Sequence, residues 1–330
     1  MLKHPAVVRA LLAFFLSVLA GASLAMMAGI EPDTPAARVD PNTVDSPWAG
    51  VVVVRVNGGV YTGVMVSPRH VLTAAHVAGG AVNEPHRVEV VLNFGGDASH
   101  VLAVDQVQPY PGNSFPYDDL ALLRLTAPVP DDVPVYPVND LPVARGVEMT
   151  LVGYGASGQG DVGPRTGSNV SIKRVGWNAL DTMTDKVDNS GRTSVFYLYD
   201  FDGPEGNGPM GGPSLGNARE TVVGGGDSGS PAFIISEYGY RAVVGINTFA
   251  TPMNSGRPLN YGFGQGGGGI FLAPRFLDWL DQASDGMVRR LSTLPPPTSR
   301  LPMWIGGGVV VSALAGYAGW RWLRSEPPAA

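Results

Sequence analysis

Three short stretches of this chain bring together the residue types needed to break an acyl bond. Gly226-Asp227-Ser228-Gly229-Ser230-Pro231 sets a serine hydroxyl among glycines, which let a peptide unit turn its N–H inward without a Cβ clash. Val71-Leu72-Thr73-Ala74-Ala75-His76-Val77 is an apolar strand that breaks into a small-residue turn carrying His76. Asp118-Asp119-Leu120-Ala121-Leu122-Leu123-Arg124-Leu125 places a carboxylate at the head of another apolar strand. Serine is a weak nucleophile at neutral pH, so attack on a carbonyl needs a base within hydrogen-bond reach and a third group to fix the base's tautomer. Of the histidines beyond residue 25, His70, His86 and His100 read as surface or satisfied core residues. His76 alone sits in the small-residue context. Alone, the serine hexapeptide also suits an ordinary hairpin turn.

The order His, Asp, Ser and all three local contexts resemble the chymotrypsin-like (trypsin-fold) serine endopeptidases. Further matches are Gly63-Val64-Met65-Val66-Ser67-Pro68, Leu151-Val152-Gly153-Tyr154-Gly155 and Val244-Gly245-Ile246-Asn247-Thr248-Phe249, so the resemblance covers about residues 47–283. It implies Ser228 as nucleophile, His76 as base and Asp119 as the carboxylate that orients it. Alternation puts Asp119, Ala121 and Leu123 on one strand face and leaves Asp118 at the loop end, free to point to water. The main-chain amides of Gly226 and Ser228 would hold the oxyanion. By the same resemblance Thr248 lies beside Asp119. Phe249 and Ala250 line the cleft and offer a backbone edge to an extended substrate. Val222 forms the base of the primary pocket, with Ala250 and Gly269 as its walls, which suits an apolar side chain rather than Arg or Lys. Ser230 stands where the family has a second glycine. Asp227 would pair with a freed N-terminal amine, and cleavage after Arg38 would supply that of Val39, although no Ile-Val-Gly-Gly start is present.

The chain has no cysteine, so it forms no disulfide and has no thiol nucleophile. The cystines that brace animal members of the family therefore have no counterpart, and Val77 stands where the first would begin. No metal or other cofactor is implied. Asp200 to Asn207 is rich in oxygen ligands but lacks a calcium loop's full pattern and closing glutamate, so it reads as a flexible surface loop.

The 45 glycines and 29 prolines, with little helical periodicity, favour short strands joined by turns. An all-β domain is expected. Strands are predicted over Gly50–Val56, Val60–Val66, Val88–Asn93, Leu120–Leu125, Met149–Val152, Ser194–Leu198, Pro231–Ile235 and Ala242–Asn247, with a helix over Pro274–Ala283. The resemblance implies two six-stranded antiparallel β-barrels, a short closing C-terminal helix, and a cleft between the barrels.

The two ends differ from the middle. Lys3, His4 and Arg9 precede an apolar run from Ala10 to Ala22, and Ser23-Leu24-Ala25 provides the small residues that a signal peptidase recognises, so 1–25 reads as a signal peptide. An N-terminal segment or propeptide follows over 26–46, then the protease domain over 47–283 and a Pro-rich spacer over 284–302. The uncharged run 303–320 would extend about 27 Å as a helix, close to the hydrocarbon thickness of a bilayer. Trp304 and Trp320 mark its edges, and Arg321 and Arg324 keep the 321–330 tail on the cytoplasmic side. This end also resembles a bacterial sorting signal that a membrane protease removes. Export to the cell envelope is therefore expected, with the catalytic domain outside. Without the charged residues of the two ends, 18 basic and 27 acidic residues remain, a net charge near -9 that disfavours nucleic acid as a partner. Protein or peptide is the expected substrate. The alternative from another class is a catalytically inactive relative that serves as a binding module. An esterase of the nucleophile-elbow type would need serine before aspartate and histidine, and here His76 comes first.

Overall fold

The computed structural model describes residues 26–188, 190–253 and 256–296. The 1–25 leader and the 303–320 segment lie outside them, and among the described residues no helix is long and apolar enough to cross a membrane.

Six strands, β1 (Val51–Val56), β2 (Gly59–Ser67), β3 (His70–Thr73), β4 (Val88–Phe94), β5 (Asp97–Pro109) and β6 (Ala121–Leu125), close a barrel in the order β1-β2-β3-β6-β5-β4. The four consecutive valines of β1 are all buried because both faces of the strand are covered. Val52 and Val54 point into the barrel with Met65, Val71, Val90 and Leu123. Val51 and Val53 point the other way, joining Val64, Leu72, Tyr154, Phe233 and Ile246 in a cluster that welds the barrel to the other half of the molecule. Asn57 and Gly58, both at positive φ, make the two-residue turn between β1 and β2.

The second half is a seven-stranded antiparallel sheet rather than a second six-stranded barrel. It comprises β7 (Glu148–Gly153), β10 (Arg174–Ala179), β11 (Thr182–Val187), β12 (Thr193–Asp200), β13 (Pro231–Ile235), β14 (Arg241–Thr251) and β15 (Gly266–Phe271), in the order β10-β7-β13-β14-β15-β12-β11. A small hairpin of β8 (Ser157–Gln159) and β9 (Gly163–Thr166) stands beside it. The sheet edges are protected in other ways than by closure. Along β10, isolated bridges from Val39 to Arg174 and from Glu220 to Trp177 cap the edge, and β11 is polar and largely exposed.

Residues 26–49 form a strap along the second half. Met26, Met27 and Ala28 are fully buried, Arg38 is buried against Asp33, and the Asp40 carboxylate accepts from Ser46 Oγ and from the Asn42 main chain. The fully buried Lys173 donates through Nζ to Trp48 O at 2.7 Å, and burial holds its pKa down near 8. In a chain without cysteine, the Lys173 bond, together with Arg174 Nε donating to Pro35 O and the Asp40 N–H to Lys173 O, holds the strap to the sheet.

Two helical elements matter for the site: α1 (Ala75–Ala78), a single turn, and α2 (Pro274–Ala283). Proline at the first turn starts α2, and Phe276, Leu277 and Leu280 recur at helical spacing on its buried face. The compact unit runs on to Leu294, the main chain of Arg289 and Leu291 bonding to that of Val138, so much of the expected spacer is part of the domain.

Candidate active site

Strand pairing explains how His76 and Asp119 meet. β3 and β6 are neighbours with Thr73 opposite Ala121, so the chain leaving β3 and the chain entering β6 lie side by side at one barrel mouth. The turn into α1 swings His76 over Asp119. Asp119 Oδ1 accepts the His76 main-chain N–H at 2.7 Å, and Oδ2 lies 2.6 Å from the ring Nδ1. Two bonds to one carboxylate fix both the backbone and the ring. Asp119 is buried while the His76 side chain remains 28% exposed. Phe115 sets its ring edge on the imidazole, with centroids 5.2 Å apart at 76°.

Ser228 reaches this pair from the other half of the molecule. Its Oγ lies 2.9 Å from His76 Nε2. An ionised Asp119 favours the tautomer with the proton on Nδ1, which leaves the Nε2 lone pair directed at the hydroxyl. The 224–230 loop is tied to the barrel by Thr62, whose N–H donates to Ser228 O at 3.1 Å and whose hydroxyl donates to Gly226 O at 3.2 Å. Gly226 has φ +97°, and a Cβ there would lie 2.6 Å from Ser168 Cβ and 3.0 Å from Val60 O. Among the described residues, neither the Gly226 nor the Ser228 main-chain N–H donates a hydrogen bond. Both amides are therefore available to an oxyanion.

Asp118 does not point to water. It is buried at φ +52°, with its carboxylate accepting from Ser194 Oγ and paired with Arg275 of α2. Neighbouring aspartates thus divide the work: Asp118 anchors the loop to α2, and Asp119 faces the imidazole.

Asp227 is enclosed. Its Oδ1 accepts from Gly155 N and its Oδ2 from Gly224 N, both at 2.8 Å, and the Met26 main-chain N–H also donates to the carboxylate. Burial pushes its pKa up to about 7 against these bonds and against Arg174. Val39, the amine expected beside Asp227, is instead 40% exposed and bridges to Arg174 on the sheet edge.

Beside the three side chains lies a cavity of about 380 Å³ bordered by Val223, Gly224, Asn247, Thr248, Phe249, Ala250 and Tyr261. Val222 is not at its base. The side chain of Val222 is buried in the core with Met149, Leu151 and Tyr197, and its neighbour Val223 takes the lining position, one residue further along the chain. Gly269 is not a wall either: a Cβ there would lie 1.8 Å from Ile246 O, within the sheet. The Thr248 hydroxyl is buried and makes no hydrogen bond to Asp119 or to any other described residue. Asp200 and Asp202 are likewise buried, not part of a surface loop. The Met210 N–H donates to Asp200 Oδ2, and the Asp202 N–H to Glu220 Oε2.

Sequence reasoning missed Phe115 and Tyr261. Both lie in Pro- and Gly-rich loops where no periodicity assigns a direction to a side chain. Tyr261 sits at φ +57°, a conformation its residue type does not advertise.

Residues 38–199 match the family model described as Trypsin, just under half of the chain. Over that stretch the chain is similar to the family, and the match supports a chymotrypsin-like serine protease family and a peptidase activity in general. It includes His76 and Asp119 and ends before Ser228. No curated protein matches the chain.

Proposed function

We propose that this chain is a serine endopeptidase whose working groups are Ser228, His76 and Asp119. The observation that carries the reading is the continuous line of contacts from Asp119 through His76 to Ser228, at 2.6 and 2.9 Å. Ser228 Oγ attacks the scissile carbonyl while His76 Nε2 takes its proton, and the imidazolium is stabilised by Asp119. The Gly226 and Ser228 amides donate to the oxyanion. Collapse of the tetrahedral adduct, with His76 returning the proton to the leaving amine, gives an acyl-enzyme. Water then attacks with His76 again as base.

The substrate binds as an added strand. β14 pairs with β13 only as far as Ile246 and the Asn247 main chain bonds to Gly229 and Ser230, which leaves the 248–251 edge of β14 without a strand partner among the described residues. Val223, Ala250 and Tyr261 make the adjoining cavity mainly apolar. The carboxylate at the cavity margin, Asp227, is 1% exposed and bonded to main-chain amides, so it is not presented to an Arg or Lys side chain in the cavity. A medium or large apolar residue on the acyl side of the cleaved bond suits this lining. Export through the 1–25 leader and tethering or sorting through 303–320 belong to the same proposal; their support is the sequence pattern. An inactive binding module is the weaker reading, because none of the three side chains is replaced.

Digestion of a peptide library tests both parts. The wild type is expected to cut after apolar residues, and Ser228→Ala to lose about 10⁴–10⁶ in kcat with its fold retained. Undiminished cleavage by Ser228→Ala contradicts the mechanism, and a strong Arg or Lys preference contradicts the assigned lining.

A further inference from the structure

Strand β15 carries no side chain from Gly266 to Gly269, and a tyrosine from β12 lies across it. Tyr199 pairs with Gly267, and its ring crosses β15 so that its hydroxyl lies 2.8 Å from Asn247 Oδ1 on β14. Glycine permits the crossing, since a Cβ at 267 would lie 2.6 Å from the Tyr199 hydroxyl oxygen. The Asn247 amide continues the line: its Nδ2 lies 3.0 Å from Ser230 Oγ and 3.2 Å from Ser230 O. A carbonyl oxygen only accepts, so Nδ2 faces Ser230 and donates, which leaves Oδ1 to accept from the Tyr199 hydroxyl. Tyr199 and Ser230 are 0% exposed and Asn247 1%.

The line ends in the turn that carries the nucleophile. Asn247 also bonds to that turn through its main chain, accepting from Gly229 N and donating to Ser230 O, both at 2.8 Å. Thr62 grips the turn from the barrel and Asn247 grips it from β14. A buried polar network whose members are all satisfied is rigid, and removing one member frees the rest. Ser230 joins it through a hydroxyl that a glycine, the residue the resemblance places here, does not have, so the bond is this chain's own. Tyr197 provides a natural contrast. It lies two residues before Tyr199 on the same face of β12 and stacks on it with centroids 6.2 Å apart, yet its buried hydroxyl has no hydrogen-bond partner among the described residues. The two tyrosines differ in what the hydroxyl reaches.

We infer that Tyr199 and Ser230 are positioning residues for the nucleophile: through the Asn247 amide they lock the 228–230 turn and so hold Ser228 Oγ in line with His76 Nε2. Neither residue borders the cavity beside the site, so their effect falls on the chemical step and not on the filling of the cleft. The glycines of β15 serve the same end by clearing the path of the Tyr199 ring. The inference rests on the serine peptidase reading.

The test compares Tyr199→Phe, Ser230→Ala, their double variant and Tyr197→Phe in the full chain, with a peptide that the wild type cleaves and with active sites counted by fluorophosphonate titration. Tyr199→Phe and Ser230→Ala each remove one oxygen, and each is expected to lower kcat per titrated site about tenfold or more with KM within about twofold, because small misplacements of a reacting group are costly. Both act through one amide, so the double variant should lose far less than the product of the two single losses. Tyr197→Phe is expected to keep the wild-type kcat. A role confined to folding would lower the thermal midpoint and the number of titrated sites but leave kcat per site unchanged. Ser230→Ala, the smaller change, reads the same network if Tyr199→Phe does not fold. A wild-type kcat per site in both single variants, losses that multiply in the double variant, or an equal loss in Tyr197→Phe overturns the inference and leaves the peptidase reading standing. A wild type that neither cuts peptides nor takes up the fluorophosphonate overturns that reading, and the positioning role with it.

Discussion

Asp119 holds His76 twice, by its main-chain N–H and by its ring, so its two oxygens have separate tasks. Asp119→Asn keeps an oxygen for the main chain but removes the charge and the tautomer preference. It is expected to lower kcat by about 10⁴ while the thermal midpoint stays close to that of the wild type, read by peptide hydrolysis and circular dichroism. Asp118→Asn should do the reverse. It weakens the buried contacts to Arg275 and Ser194, costs about 1–3 kcal/mol of stability, and leaves a smaller catalytic defect. The sequence distinguished these neighbours only through strand alternation and resemblance. Alternation gave Asp119 its direction but said nothing of Arg275, which lies 157 residues away from Asp118. At the cavity the one-residue error at Val222 has a physical source: four residues separate it from Asp227, three of them glycines, and glycines carry no side-chain pattern to fix the register.

Among the elements, the 224–230 loop depends most on backbone conformation. Gly229 has φ +85°, and a Cβ there would lie 2.0 Å from Thr73 Oγ1 and 2.2 Å from Thr62 O, both belonging to the barrel. Gly229→Ala must move that loop away from β2 and β3. The expected outcome is a loss of at least about 2–3 kcal/mol in urea unfolding together with reduced activity; an Ala variant as stable and active as the wild type would count against this geometry. Helix α2 was legible because Phe276, Leu277 and Leu280 recur at helical spacing behind a proline. Strand β15 was not, since Gly266 to Gly269 present no alternation. Their absent side chains have a structural cause: a Cβ on Gly268 would lie 2.4 Å from Tyr197 O. Strand β5, long and polar, was hidden because its outer face is solvated and only Val104 and Val107 along it are buried.

At the scale of the molecule, three buried carboxylates set the response to pH. Burial raises Asp181, Glu220 and Asp227 each to about 7, with Asp200 adding to the shift at Asp181 and Asp202 to that at Glu220. In the unfolded chain such groups titrate near ~4. Between about pH 4 and 7 the folded protein therefore binds more protons than the unfolded one, so their contribution falls as pH rises through that window. The thermal midpoint is expected to be higher at pH 5.5 than at pH 7.5, and Glu220→Gln should lessen the difference; an unchanged dependence in that variant would remove Glu220 from the account. The barrel half was read closely from its valine-rich runs. The second half was expected to close into a barrel but is a sheet whose β10 edge is capped by the strap, a contact between distant segments that no local pattern announces. If His76 activates Ser228 and no other hydroxyl, mapping a fluorophosphonate adduct by peptide mass spectrometry shows it most directly. A single adduct on Ser228 is expected in the wild type and none in His76→Ala. An adduct on another residue, or equal labelling of His76→Ala, would contradict it.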